Sequence, residues 1–141
     1  MDCTDCSRAE FVFSEEDLRI VERALALVSA PNAWNSDDPP QRCGPKIDRY
    51  SLECALQMAT FQITGRPNLN RAGPWEVIYT AVGRMEPNVA RTDDEQVEPG
   101  LMPALILRRF NNRPGTTVAN VIGVLEEARD RIRADLARRA K

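Results

Sequence analysis

Apolar positions recur along this chain at helical rather than strand spacing. Leu18, Val21, Leu25 and Val28 stand three or four residues apart, which places them on one helix face. Just before them, Ser14-Glu15-Glu16-Asp17 has the form of a capping box with Asp17 in place of the usual Glu, and Phe13 and Leu18 are spaced to close a hydrophobic staple across it. Pro31 ends the run, so the pattern predicts a first helix over about residues 15–29. In a second helix Leu52, Ala55, Leu56, Ala59 and Ile63 line one side, and Tyr50, Cys54, Met58 and Phe61 widen it. Asp48 is placed to cap its start, and Gly65 with Pro67 to stop it. An apolar arc of that width is expected of the central helix of a bundle.

Gly73-Pro74 opens a third helix carrying Trp75, Ile78, Tyr79 and Val82 as far as Pro87. MPALILRRF reads as a short helix or extended piece. RFNNRPGTT then supplies a turn and a cap at Thr116 or Thr117. The last helix is the longest. Its stripe of Val118, Val121, Ile122, Leu125, Ala128, Ile132 and Leu136 is flanked by Glu127/Arg131 and Asp135/Arg139 at i,i+4 spacing. Between helices, PNAWNSDDPPQRCGP and NVARTDDEQVEPG read as long loops. The expected fold is mainly α, a compact bundle of four to five helices in one domain over residues 1–141. Residues 1–13 form an irregular arm or short strand, and 129–141 the basic end of the last helix.

Composition narrows the chemistry. The 141 residues are 43% hydrophobic and 28% charged, the balance of a globular domain. A net charge of −2 argues against attachment to nucleic acid or anionic lipid by the overall field. Four cysteines and no histidine remove Ser-His-Asp, Cys-His and HExxH designs together. No apolar run approaches the ~20 residues that cross a bilayer. MDCTDCSRAEFVF has neither the basic start nor the apolar core of a secretory signal. The expectation is a cytoplasmic protein with reduced thiols and no membrane partner.

Two stretches carry a family resemblance. Glu53-Cys54-Ala55-Leu56-Gln57-Met58-Ala59, and later Phe110-Asn111-Asn112 with Thr117, Asn120, Val121 and Ile122, resemble the W-C-A-x-G-A-L, W-N-D and T-x-x-E-V-L pattern of a family of small bacterial and phage proteins of unknown function. Element order agrees over roughly residues 15–136. Glu53 stands at the first tryptophan, Phe110 at the second and Asn112 at the aspartate. The resemblance implies an all-helical fold and assigns no activity.

Several groups are candidates for chemistry. Cys3 and Cys6 form C-x2-C, and Cys43 lies in a glycine turn, so these three with Cys54 make up a four-thiolate zinc set. Ten residues separate Cys43 from Cys54, however, where zinc ligands come as short pairs. Cys54 also falls on an apolar helix face, as a buried free cysteine does. A redox CxxC requires a preceding strand and a following helix, which residue 3 does not have. A cysteine nucleophile has no designated base. Arg129, Arg131, Arg133, Arg138 and Arg139 make a local basic patch that suits phosphate contacts, although helix C-termini favour cations in any case. Trp34, beside Asn35, Asp37 and Asp38, reads as a partner-binding loop residue or as a lid on the core. Asn111 and Asn112 read as turn formers or partner-facing amides. Carboxylates at Glu15, Glu16 and Asp17 and at Asp93, Asp94 and Glu95 lack the alternation of a calcium loop and read as solvated surface.

The functional expectation is a non-enzymatic helical module for protein binding or assembly, its partner another protein or a second copy. The motive is a last-helix stripe that continues past Ala128, further than a small bundle needs to cover. The alternatives are a nucleic-acid-associated accessory protein using the basic helix end, and a zinc or thiol protein using the cysteines.

Overall fold

The computed structural model describes residues 13–36, 43–44, 47–66, 72–86 and 102–140. They form α1 (Glu15–Ser29), α2 (Leu52–Thr64), α3 (Ala72–Met85), α4 (Met102–Asn112) and α5 (Val118–Arg139), with no strand among the described residues. α1 starts where its sequence predicts. The Ser14 hydroxyl accepts the Asp17 N–H at 3.2 Å and the Asp17 carboxylate accepts the Ser14 N–H at 3.0 Å, the two halves of a capping box. Phe13 and Leu18, the staple pair, are both partly buried against the core. The arm before Phe13 lies outside the described residues.

The same Asp17 carboxylate sets how closely α3 approaches. A Cβ at Gly73 would stand 2.9 Å from Asp17 Oδ2, so the second position of α3 has room only for hydrogen. A carboxylate there also lies at the positive end of the α3 dipole.

α2 begins later than predicted. Asp48 is not its cap, because Tyr50 is still extended and paired with the chain at Trp34: Asn35 N–H donates to Tyr50 C=O at 2.9 Å, and Tyr50 N–H donates to Ala33 C=O. Ser51 is the first residue free to cap, and its hydroxyl accepts the Cys54 N–H at 3.1 Å. At the other end Gly65 adopts φ 73° and closes the helix as expected. Tyr50 therefore precedes the helix, and Phe61, assigned to its apolar side, is exposed.

Nor is α2 the hub of the bundle. It packs on α1 and α4, whereas α1 packs on α2, α3 and α5, and α3 on α1, α4 and α5. Its wide buried arc, from Leu52 to Leu56 with Met58, Ala59 and Thr60, is covered on two sides by helices and at Cys54 by a bond to Cys43.

MPALILRRF is helical and runs two residues further, so Asn111 and Asn112 end α4 instead of forming a turn. The turn follows at Arg113–Gly115, with Gly115 at φ 95°. α5 then starts at Thr117 through a second capping box, in which Asn120 at the third position takes the role usual for Glu or Gln.

One hydrophobic cluster joins all five helices, with Phe110, Ile20, Leu52, Leu56, Ile78, Ile106, Leu107, Leu125 and Ile132 fully buried in it. The α5 stripe belongs to this cluster. Val121, Val124, Leu125, Ala128 and Ile132 are buried and Leu136 packs partly against the core. The expectation that the stripe runs further past Ala128 than the bundle needs to cover is therefore corrected; its exposed member is Val118, at the other end. α1 runs alongside the far half of α5, where Glu22 pairs with Arg133 at 2.7 Å and the Phe13 carbonyl accepts from Arg139.

Candidate functional site

Polar groups gather where the C-terminus of α4 meets the N-terminus of α2. Asn111 lies at their centre, 0% exposed. Its Oδ1 accepts the Trp34 indole N–H at 2.7 Å and the Leu52 backbone N–H at 2.9 Å, while its Nδ2 donates to Asn35 C=O at 2.9 Å and Asn112 Oδ1 at 3.0 Å. Two acceptor sites and two donors are the full capacity of an amide side chain. The Leu52 N–H is one of the unpaired donors at the start of α2, so Asn111 shares the capping of that helix with Ser51.

A charged pair borders this hub. Glu53 is 8% exposed, and its carboxylate accepts from Arg108 of α4 at 3.1 and 3.5 Å and from Gln57 at 3.3 Å. A carboxylate so buried is stable only when paired. Arg49 reaches Trp34 C=O at 3.4 Å from the exposed side. At the far end of α3, Glu86 accepts from Arg113 at 3.0 Å, and this bond, assisted by the charge of Arg113 and opposed by desolvation, holds the Glu86 carboxyl below its usual range.

Trp34, Asn111 and Asn112 come together as one hydrogen-bonded unit, with Trp34 partly buried, Asn111 turned fully inward and Asn112 exposed. Asp37 and Asp38 lie outside the described residues, as do Asp93, Asp94 and Glu95.

Four of the five arginines at the end of α5 each face a carboxylate. Arg129 sits against Asp130 at 3.0 Å, Arg133 against Glu22 at 2.7 Å, and Arg138 and Arg139 share Asp135 at 2.6 and 3.0 Å. Arg131 is exposed and makes no ion pair with a described residue. Its predicted partner Glu127 pairs with Arg84 at 2.6 Å, because α3 brings a cation closer than the next turn of α5 does.

The cysteines change character. Cys43 and Cys54 are joined in a disulfide with Cα atoms 5.4 Å apart. The expectation of a free, purely hydrophobic Cys54 is corrected, and so is that of reduced thiols at these two positions. A zinc ligand must be a thiolate, which Cys43 does not offer in this bonded form. Cys3 and Cys6 lie outside the described residues. Among those that are described, no three His, Cys, Asp or Glu side chains group as a metal site, and no helix is long and apolar enough to cross a membrane.

Sequence reasoning missed the Glu53–Arg108 pair and the capping of α2 by Asn111. The first had a signal, a glutamate inside an otherwise apolar run. The second had none, because it depends on which helix ends meet.

The stretches that carry the family resemblance, around Cys54 and around Asn111, meet in this cluster although they are far apart in sequence. A family model matches residues 13–131, which span the described helices from α1 to most of α5. The chain belongs to DUF6197, a family of unknown function. No curated protein and no solved structure matches the chain. Membership in DUF6197 assigns no chemistry to the Asn111 cluster.

Proposed function

We propose that this chain is a non-enzymatic helical module, an accessory protein of bacterial or phage type, that binds another protein through the loop face anchored by Asn111. The observation that carries the reading is the number of connections made by that one buried amide. It ties the chain at Trp34 and Asn35, the first turn of α2 and the end of α4 into a single unit. Fixing a loop costs about 1–2 kcal/mol of backbone entropy per residue. A loop fixed before binding spares the partner that cost, and pre-organisation of this kind raises affinity. Ser36, Asp48, Arg49 and Asn112 are exposed around the anchored segment and supply its polar contacts.

The second-copy version loses its motive, since the α5 stripe is packed inside the bundle. The nucleic-acid reading draws little support from arginines that face their own carboxylates.

The test is affinity capture from cytoplasmic extract with the wild type and with a Ser36→Arg/Arg49→Glu variant, which leaves every bond of Asn111 in place. A protein retained by the wild type and lost from an equally helical variant supports the reading. Identical recoveries from both contradict it.

A further inference from the structure

The Cys43–Cys54 bond is the one disulfide among the described residues, and its two cysteines are unequally exposed. Cys54 is 4% exposed, in the first turn of α2 behind Leu52 and Glu53, whereas Cys43 is partly exposed beside Gly44. Thiol–disulfide exchange needs a thiolate to approach one sulfur along the S–S axis, from the side opposite the sulfur that leaves. Burial obstructs that approach at Cys54 far more than at the partly exposed Cys43. We propose that Cys43 is a site of modification by small aliphatic thiols, with Cys54 as the sulfur that leaves.

The step balances without another reagent. A small-thiol thiolate bonds to Cys43 Sγ, the Cys43–Cys54 bond breaks, and the electron pair stays on Cys54 as a thiolate. A second equivalent of the thiol, as its thiolate, attacks the sulfur of the small-thiol group on Cys43. This releases the small disulfide and leaves Cys43 as a thiolate, so two electrons pass from two thiols to the cysteine pair.

The place where Cys54 sits suits this role. It is the third residue of α2, in the first turn, where the positive end of the helix dipole lies beside the sulfur that leaves. The one carboxylate in that first turn, Glu53, has its charge offset by Arg108.

Breaking the bond leaves the neighbouring hydrogen bonds standing. The Ser51 cap, the Asn111–Leu52 bond and the Trp34–Tyr50 pairing involve no sulfur. The exchange therefore frees Cys43 from α2 while the anchored face and the helices persist. This chemistry does not depend on the binding role proposed above, and its test uses no partner.

A Cys3→Ser/Cys6→Ser variant of the full chain, oxidised and natively folded, is incubated with reduced glutathione, quenched with acid and mapped by peptide mass. Glutathione is expected on Cys43 at least tenfold more often than on Cys54, with helical circular dichroism unchanged. A Cys54→Ser variant, which leaves Cys43 as a lone thiol, should take up one glutathione from oxidised glutathione. The matching Cys43→Ser variant should react at least tenfold more slowly while folded. Adducts chiefly on Cys54, or a bond that opens only once helicity is lost in denaturant, would overturn the proposal.

Discussion

The indole N–H of Trp34 reaches Asn111 Oδ1 at 2.7 Å across 77 positions of sequence, and the same oxygen accepts the first N–H of α2 from Leu52 at 2.9 Å. One buried amide thus joins a loop to two helix ends. Replacing Asn111 with Ala strands the Trp34 and Leu52 donors together. Each unmet buried donor costs about 1–3 kcal/mol, so Asn111→Ala should lose roughly 2–4 kcal/mol in urea unfolding. Asn111→Asp keeps both acceptors but sets a carboxylate oxygen against Asn35 C=O and Asn112 Oδ1, and should fold no better than the Ala variant.

Gly73 tests the contact between α1 and α3. Alanine is favoured over glycine in helices, by up to about 1 kcal/mol in an interior and by less in a first turn. At this position its Cβ would lie 2.9 Å from Asp17 Oδ2, and that carboxylate is fixed by its bond to Ser14. Gly73→Ala should therefore destabilise the wild type by about 1–2 kcal/mol. In an Asp17→Ala background the same substitution should be neutral or stabilising, a sign reversal that thermal melts of the four proteins would resolve.

Arg108→Met removes the cation that faces Glu53 and leaves a carboxylate with 10% side-chain exposure short of its charge partner. The loss should be about 2–3 kcal/mol, toward the lower end for such pairs because Arg108 itself is partly exposed. Adding Glu53→Gln should return part of it. A double-mutant cycle in urea measures the coupling.

Packing of the α5 stripe predicts an unfolding midpoint that does not depend on protein concentration. Ile132→Ala should lower stability by about 2–4 kcal/mol, as for other fully buried isoleucines, and equally at low and high concentration. A loss that grows with dilution would mean that a second copy covers the stripe.

Glu86 supplies a modest pH dependence. Its folded pKa is lowered by Arg113, so its stabilisation is complete above the ordinary carboxyl value of 4.5 and disappears as pH falls through the lower folded value. The difference between wild type and Glu86→Gln should be constant from pH 6 to 7 and shrink below about pH 4.5. As the pair is partly exposed, the difference should stay below about 1 kcal/mol.

The helices were legible because their signals are local. The capping box at Ser14, the glycine stop at Gly65 and the Thr117 cap each lie within a few residues of the ends they set. Errors entered where a distant partner decides. Asp48 lost the α2 cap to Ser51 because Tyr50 pairs with the chain at Trp34. The α5 stripe looked too long only because the reach of α1 alongside it is not written in α5. Trp34, Asn111 and Asn112 were recognised as noteworthy polar and aromatic positions, but their joint role rests on the meeting of α2 and α4. The disulfide was hidden for the same reason: an eleven-residue separation fits a bridge as well as two unrelated cysteines, and only the loop path decides.

The anchoring of the Trp34 loop to the helical core by Asn111 can be read from hydrogen exchange of the Trp34 indole N–H, followed by nuclear magnetic resonance with a Trp34→Phe variant for assignment. The indole proton should be protected at least tenfold over a free tryptophan side chain, with the protection lost in Asn111→Ala while the helices remain. Exchange at the free-indole rate in the wild type, or protection that survives Asn111→Ala, would contradict it.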